Sequence, residues 1–278
     1  MEKQQPEIYF ANRGEPFKNM IRKILSKSKL KPHYIDLLTD DQSMKLYAQA
    51  FTHTSVNPDK NYEFLETLGD QIANTSIVWY LSRRFPQINC EAGVKIISRL
   101  KINFVSKEYY FTFAQGWGFW PFISADENIR NNEMKATLED VFEAFFGATA
   151  KLLDSRIKLG VGYAICYNII QNLFDKMDIS LKYEDLFDPK TRLKELFEYK
   201  KFNIGTIDYT SDVIDRIHHA RAVQRIRGRN IVIGKGSATK KAPAEQKAAK
   251  QALAYMKRKG FEKPVSEAFK MFCLPSQF

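Results

Sequence analysis

Cysteine is scarce in this chain. Its three residues, Cys90, Cys166 and Cys273, are an odd number, and none stands in a C-x-x-C pair. That argues against a disulfide framework or a cysteine zinc site and fits a reducing compartment, cytoplasm or nucleus. Long apolar runs are missing too. The first residues, Met1-Glu2-Lys3-Gln4-Gln5-Pro6-Glu7, have none of the apolar core of a secretory signal. The most apolar stretch, 159–174, is too short to span a bilayer and is interrupted by Asn168 and Gln171, so it reads as a buried helix and no membrane is expected. Internal repeats and low-complexity tracts are absent as well.

What is present is enough for a core. With 278 residues, 44% hydrophobic and 27% charged, the chain has the length and composition of two domains. Its net charge of +11 is unevenly placed. From Asp188 to Gly260, 18 Lys and Arg stand against 7 Asp and Glu, while the rest of the chain carries 25 of each sign. One segment therefore holds the whole excess. It is either a polyanion-binding module or the solvated basic face of an ordinary domain.

Periodicity divides the chain at the same place. Over 16–56 the pattern is helical, with Phe17, Met20, Ile21 and Ile24 on one face. Helical signals continue over 63–80, 91–106, 134–153 and 159–176. The aromatic, Gly-containing stretch 111–129, with Trp117, Trp120 and Pro121, predicts a short helix and a packed loop. Nothing before residue 178 reads as a sheet, so this half is expected to be all-α. After a polar connector at 182–189 come a helix over 191–199 and short β-like runs at 204–210, 222–227 and 230–234. Gly228-Arg229 is the expected hairpin turn, and an Ala-rich helix follows over 244–258 with Pro243 just before it. The second half is thus a small α+β domain in the order α-β-β-β-α. The expected boundaries are a leader at 1–12, the helical domain at 13–180, the α+β domain at 187–258 and a tail at 259–278.

Two helical segments carry acids among apolar residues. In Glu63-Phe64-Leu65-Glu66-Thr67-Leu68-Gly69-Asp70, Glu66 and Asp70 stand four apart and share a face. In Leu138-Glu139-Asp140-Val141-Phe142-Glu143-Ala144, Asp140 and Glu143 stand three apart and do the same. Either pair alone is an ordinary solvated helix face. If the two helices pack together, four carboxylates meet, and the natural counterion is a hard divalent cation with oxygen ligands. Mg²⁺ also pairs with phosphate oxygens, and two such ions suit hydrolysis of a phosphodiester. On the residues alone, solvated faces and a metal cluster both stand.

The segment from Glu63 to Asp70 resembles the ribonuclease III signature E-R-L-E-F-L-G-D. Upstream, Ala50-Phe51-Thr52-His53-Thr54-Ser55 resembles the family's A-L-T-H-x-S segment. Downstream, Lys135 with Asp140-Val141-Phe142-Glu143-Ala144 resembles its K-x-x-x-x-D-x-F-E-A. The resemblance implies an all-α ribonuclease III nuclease domain in which Glu66, Asp70, Asp140 and Glu143 hold the catalytic metal, Mg²⁺ or Mn²⁺ as a substitute. Glu63 matches an accessory acid. His53 would pack and hydrogen-bond rather than catalyse, and Ser106 would support local structure. It further implies a homodimer that hydrolyses both strands of double-stranded RNA, leaving 5′-phosphates and short 3′ overhangs. Two positions depart from the pattern: Thr67 stands where the family has an aromatic that plugs into the partner subunit, and Phe64 replaces its Arg.

In the second half, Gly234-Lys235-Gly236, Lys240-Lys241 and Ala244-Glu245-Gln246-Lys247-Ala248-Ala249 resemble the double-stranded RNA-binding domain. A helix N-terminus offers backbone N–H groups and its dipole to phosphate. Lys240, Lys241 and Lys247 add cations around it, and such domains read A-form shape with little sequence preference. By the resemblance, Glu195 on the first helix and His219 in the loop before the second strand touch the minor groove. The stretch from Gly236 to Ala244 is longer than the family's spacing, with Pro243 inside it. The alternative to an endoribonuclease is a non-catalytic protein that binds or sequesters double-stranded RNA; such relatives lose one or more of the four acids, all of which are present here. RNA processing, dicing and suppression of RNA silencing are equally compatible roles.

Overall fold

The computed structural model describes residues 7–104, 107–265 and 267–272; Ser106 lies outside them. The chain divides into two compact units, Met1–Asp178 and Ile179–Phe278.

The first unit is helical. Its described helices are α1 (Glu15–Leu25), α2 (Pro32–Leu38), α3 (Asp41–Ala50), α4 (Glu63–Arg84), α5 (Glu91–Phe104), α6 (Lys107–Gly116), α7 (Glu127–Asn132), α8 (Met134–Arg156) and α9 (Val161–Phe174). The expected helix over 16–56 is three helices joined by a short 3₁₀ turn and tight loops. Pro16 and Pro32 sit in first turns, where a missing N–H costs nothing. Asp40 caps α3 by accepting from the Ser43 N–H at 2.8 Å, and Arg156 at the far end of α8 binds the same carboxylate. α8 is the central element, with apolar residues such as Leu138, Val141, Phe142, Phe145 and Phe146 buried around it. α4 crosses it, and Gly69 and Gly147 let the two backbones touch. A Cβ on Gly69 would lie 1.8 Å from the Glu143 carbonyl oxygen, and one on Gly147 would lie 2.0 Å from that of Leu65.

One element departs from the all-helical reading. Ile8–Tyr9 (β1) pairs antiparallel with Ala125–Asp126 (β2). A ladder two residues long leaves no alternation to detect, and its partner is more than a hundred residues away. Arg130 braces it, its guanidinium 3.9 Å from the Tyr9 ring centroid and 4.4 Å from that of Trp120. The aromatic stretch packs as expected, with Trp117 stacked on Phe142 at 5.4 Å and Phe119 edge-on to Phe51 at 4.7 Å.

The second unit contains α10 (Tyr183–Leu186), α11 (Pro189–Phe197), strands β3 (Thr206–Ile214), β4 (Ile217–Ile226) and β5 (Arg229–Ala238), then α12 (Lys241–Arg258) and α13 (Glu267–Phe272). The sheet is antiparallel in the order β3-β4-β5. Leu193, Leu196, Phe197, Ala222, Ile233 and Met256 lie in its core, with the alanines of α12. Gly234 and Gly236 admit that helix: a Cβ on either would lie 2.2 or 2.3 Å from a carbonyl oxygen of α12.

The strands are longer than the apolar runs suggested, and the expected hairpin turn lies one residue earlier than the sequence indicates. Asp215-Arg216 and Arg227-Gly228 form two-residue turns with positive φ at both positions, the geometry whose twist matches the strands. The second turn is therefore Arg227-Gly228 rather than Gly228-Arg229. Charged residues extend β3 and β4 because they pair across the ladder, Arg221 with Asp212 and Arg225 with Asp208, each at 2.8 Å. His219 consequently lies inside β4, opposite Asp212, and not in a loop. α12 begins at Lys241 instead of Ala244, since Pro243 falls in the first turn and needs no donor there.

Candidate active site

The crossing of α4 and α8 brings the predicted acids together. One carboxylate oxygen from each of Glu66, Asp140 and Glu143 lies within 4.8 Å of the others, all three residues half-buried. Asp70, one turn beyond Glu66, adjoins Glu143 closely enough to hydrogen-bond with it, yet stays outside that three-membered set. Its oxygens accept from Asn74 Nδ2 at 2.6 Å and Gln71 Nε2 at 3.0 Å. Glu63 is exposed, one turn before Glu66.

Glu143 records the electrostatics of this arrangement. Burial, then the charges of Asp70, Glu66 and Asp140, push its pKa up to about 8. Like charges gathered in a low-dielectric cleft resist ionisation until a cation or proton neutralises them. The donor set is all oxygen, which suits a hard divalent cation over a thiophilic one.

Several supports were not evident from the acids alone. Tyr62, 2% exposed, donates its hydroxyl to Asp140 Oδ2 at 3.2 Å. Burial and the Asp140 charge hold that phenol in its neutral, donating form. His53 meets the Tyr62 ring edge-on at 5.6 Å, while its Nδ1 accepts from the Ser55 N–H at 3.0 Å. That agrees with a packing and hydrogen-bonding role. Arg13 fastens the same loop by donating to the carbonyls of Ala48, Phe51 and Phe122 and to the hydroxyls of Thr52 and Ser124. A lone arginine at the edge of a ragged segment gives no sequence signal of that role. Glycine inside a helix costs about 1 kcal/mol against alanine, so Gly69 and Gly147 mark a close approach only once the two helices are known to face each other.

Thr67 is exposed and turns its hydroxyl back to the Glu63 carbonyl at 3.1 Å. Phe64, also exposed, lies under the Lys151 ammonium at 5.0 Å.

In the second unit the predicted RNA-contacting residues spread around one end of α12 and along α11. Lys240 and Lys241 are exposed at the head of α12, with Lys241 4.0 Å from Glu245. Lys247 donates to the Ser237 carbonyl at 2.9 Å, and His219 Nδ1 lies 2.8 Å from Ser237 Oγ. Glu195 is set apart from these. Its carboxylate accepts from the Tyr183 hydroxyl and pairs with Lys263 at 2.8 Å. Phe269 of α13 packs on Tyr183 and Phe187 nearby, at 5.5 Å from each.

Known proteins share both halves. Residues 63–151 match the model of the Ribonuclease III domain, and 189–256 match that of the double-stranded RNA binding motif. The chain is 38% identical over 280 positions to a protein provisionally named ribonuclease 3 from Invertebrate iridescent virus 6, covering 95% of this chain and 96% of that one. It is 39% identical over 239 positions to a similarly named protein of Frog virus 3 (isolate Goorha), covering 85% and 62%. Ribonuclease 3 of Bacillus cereus (strain AH187) is 29% identical over 225 positions, covering 77% and 85%. Among solved structures, the nuclease domain of ribonuclease III from Campylobacter jejuni aligns at 23% identity and a TM-score of 0.42, over 56% of this chain and 97% of that one. Dicer from Pichia stipitis aligns at 19% identity and a TM-score of 0.36, over 82% and 96%. Motifs, domain order and relatives agree: this chain belongs to the ribonuclease III family, with the nuclease domain and double-stranded RNA-binding motif of a double-stranded RNA endoribonuclease.

Proposed function

We propose that the chain hydrolyses double-stranded RNA with divalent metal held by Glu66, Asp70, Asp140 and Glu143, Mg²⁺ in the first place and Mn²⁺ as a substitute. The observation that carries this reading is the convergence of Glu66, Asp140 and Glu143 within 4.8 Å in a half-buried cleft. Two divalent ions held by these acids would supply a nucleophile at neutral pH and charge stabilisation for the leaving oxygen, and the products would be 5′-phosphates with short 3′ overhangs. The protein's own part is positioning. Asn74 steadies Asp70 and Tyr62 steadies Asp140, while Glu63 is the accessory acid at the rim.

Lys240, Lys241 and Lys247 hold the duplex through its phosphates, with His219 and Glu195 as candidate minor-groove contacts. A homodimer would provide one such acid cluster per strand. Exposed Phe64, 62% accessible, offers an apolar contact on the face where Thr67 lacks the family's aromatic. The odd number and spacing of the cysteines favour a reducing compartment, cytoplasm or nucleus.

Long duplex RNA incubated with the pure chain and Mg²⁺ is expected to yield discrete 5′-phosphorylated fragments, and EDTA is expected to stop the reaction. Glu143→Ala should lower cleavage on the order of 10³-fold while duplex binding in Ca²⁺ stays near wild type. A variant that still cut at the wild-type rate would overturn the assignment of the acids.

A further inference from the structure

We infer that Tyr110 is a positioning residue for the acid cluster, its buried hydroxyl, unpartnered here, standing ready to donate to the Asp70–Glu143 pair when these ligate a metal. The inference rests on the metal-binding reading above. Tyr110 lies on α6 and is 3% exposed, with its ring stacked on Phe142 at 4.7 Å and 28°. Phe142 directly precedes Glu143 on α8. The hydroxyl is buried and has no hydrogen-bond partner among the described residues.

Three other buried tyrosines of this unit do find partners, Tyr47 with Thr149 at 3.1 Å, Tyr62 with Asp140 at 3.2 Å and Tyr80 with Arg84 at 2.7 Å. A buried hydroxyl without a partner is costly and calls for an explanation. The surroundings provide one. Its ring lies on Phe142, next to Glu143 in α8, and burial first, then the negative charges of Glu143 and Asp70, disfavour ionisation of this phenol. Ionised carboxylates only accept hydrogen bonds, and one that ligates a metal through one oxygen leaves the other to be satisfied. Donors placed behind metal ligands fix their orientation. Tyr62 performs that service for Asp140, and Tyr110 is placed to perform it for Asp70 and Glu143 from the α6 side.

Tyr110→Phe removes the hydroxyl and keeps the stacked ring, so the full-length variant tests the idea. Mn²⁺ alone is titrated into the protein without RNA, with free ion followed by electron paramagnetic resonance, and melting is recorded without metal. The expected result is an affinity roughly tenfold weaker with an unchanged or slightly higher metal-free Tm. Tyr47→Phe is the control: it loses a satisfied buried bond, so its metal-free Tm should fall while Mn²⁺ affinity stays at the wild-type value. A Tyr110→Phe variant that binds Mn²⁺ as tightly as wild type overturns this inference alone. A wild-type chain with no Mn²⁺ binding that Glu143→Ala removes overturns the metal site, and this inference with it.

Discussion

In the first unit negative charge is gathered inside the protein, whereas in the second positive charge is spread over the outside. The acids of α4 and α8 lie half-buried against one another, and the result is a carboxyl that keeps its proton to about pH 8. The basic unit answers much of its own charge. Arg221 pairs with Asp212, Arg225 with Asp208, Lys190 with Glu245, Lys257 with Glu262 and Lys263 with Glu195. Charge that is buried and unbalanced becomes chemically unusual, while exposed and paired charge is worth little individually. Net charge located the RNA-binding half of this chain, but burial located the chemistry.

If packing creates the acid cluster, a change that adds no charge should destroy it. Gly69→Ala is expected to have the largest effect of this kind, because its methyl would fall 1.8 Å from the Glu143 carbonyl oxygen. Overpacking should cost about 3 kcal/mol, offset by roughly 1 kcal/mol of helix propensity, a net loss near 2 kcal/mol by urea unfolding. Displacing Glu143 by about 1 Å should also cut cleavage on the order of 10²-fold. Gly236→Ala makes the matching clash in the second unit, 2.3 Å from the Ala244 carbonyl oxygen. It should weaken duplex binding and leave Mn²⁺ affinity alone. Loss of metal affinity in both variants would break the contrast between the two halves.

The buried charge should also be visible in the pH dependence of stability. Glu143 has a folded pKa of about 8 against an ordinary value of 4.5. The native state therefore binds the proton more tightly than the unfolded chain, and its stabilising effect is complete below about pH 4.5. Stability of the metal-free protein from this group should fall as pH rises through 4.5 to 8. Glu143→Gln should flatten that part of the melting profile, and saturating Mg²⁺ should reverse its slope. A wild-type Tm rising steadily across this window without metal would show that Glu143 ionises freely.

How much of this was readable beforehand follows from the same contrast. Helices with local periodicity and the α-β-β-β-α order were legible, because helix faces and turn residues are short-range signals. The acids were legible as pairs, since spacing of three and four places them on one face. Their meeting was not, because it depends on Gly69 and Gly147 facing each other across 78 residues of sequence. β1 was invisible for the same reason, being two residues with a distant partner. The missed strand ends in the second unit were polar residues held by cross-strand ion pairs, which no apolar alternation announces. His219 lies within that polar extension of β4, and the tight turn at Asp215-Arg216 carries no sequence signal because neither residue is glycine.

Smaller effects are expected on the basic surface. Lys240→Ala and Lys241→Ala should each weaken duplex binding modestly and uniformly across sequences, lowering the slope of log affinity against log salt by about 1. Lys247→Ala should change that slope less, since its ammonium already donates to the Ser237 carbonyl. Equal slopes for all three would mean that the Ser237 contact gives way to phosphate when RNA binds.

Glu195 separates the two views of the second unit most finely. By resemblance it touches the minor groove, yet Tyr183 and Lys263 both engage its carboxylate, and its side chain is 29% exposed. The hydroxyl and the ammonium both sit on Oε2 and fix how the carboxylate is aimed, so they govern whether it can meet a ribose. Glu195→Gln keeps the shape, weakens the pair with Lys263 and should cost below about 1 kcal/mol of stability. Duplex affinity should change less than about twofold, because an interaction within the domain is lost and no phosphate contact is. Lys263→Ala is the informative companion, since it frees Glu195 without altering it. If Glu195 serves the groove, that variant should bind duplex RNA more tightly while Glu195→Gln binds more weakly. If Glu195 serves to fasten the segment after α12, both should bind as wild type, and the two should show the same small loss in melting temperature.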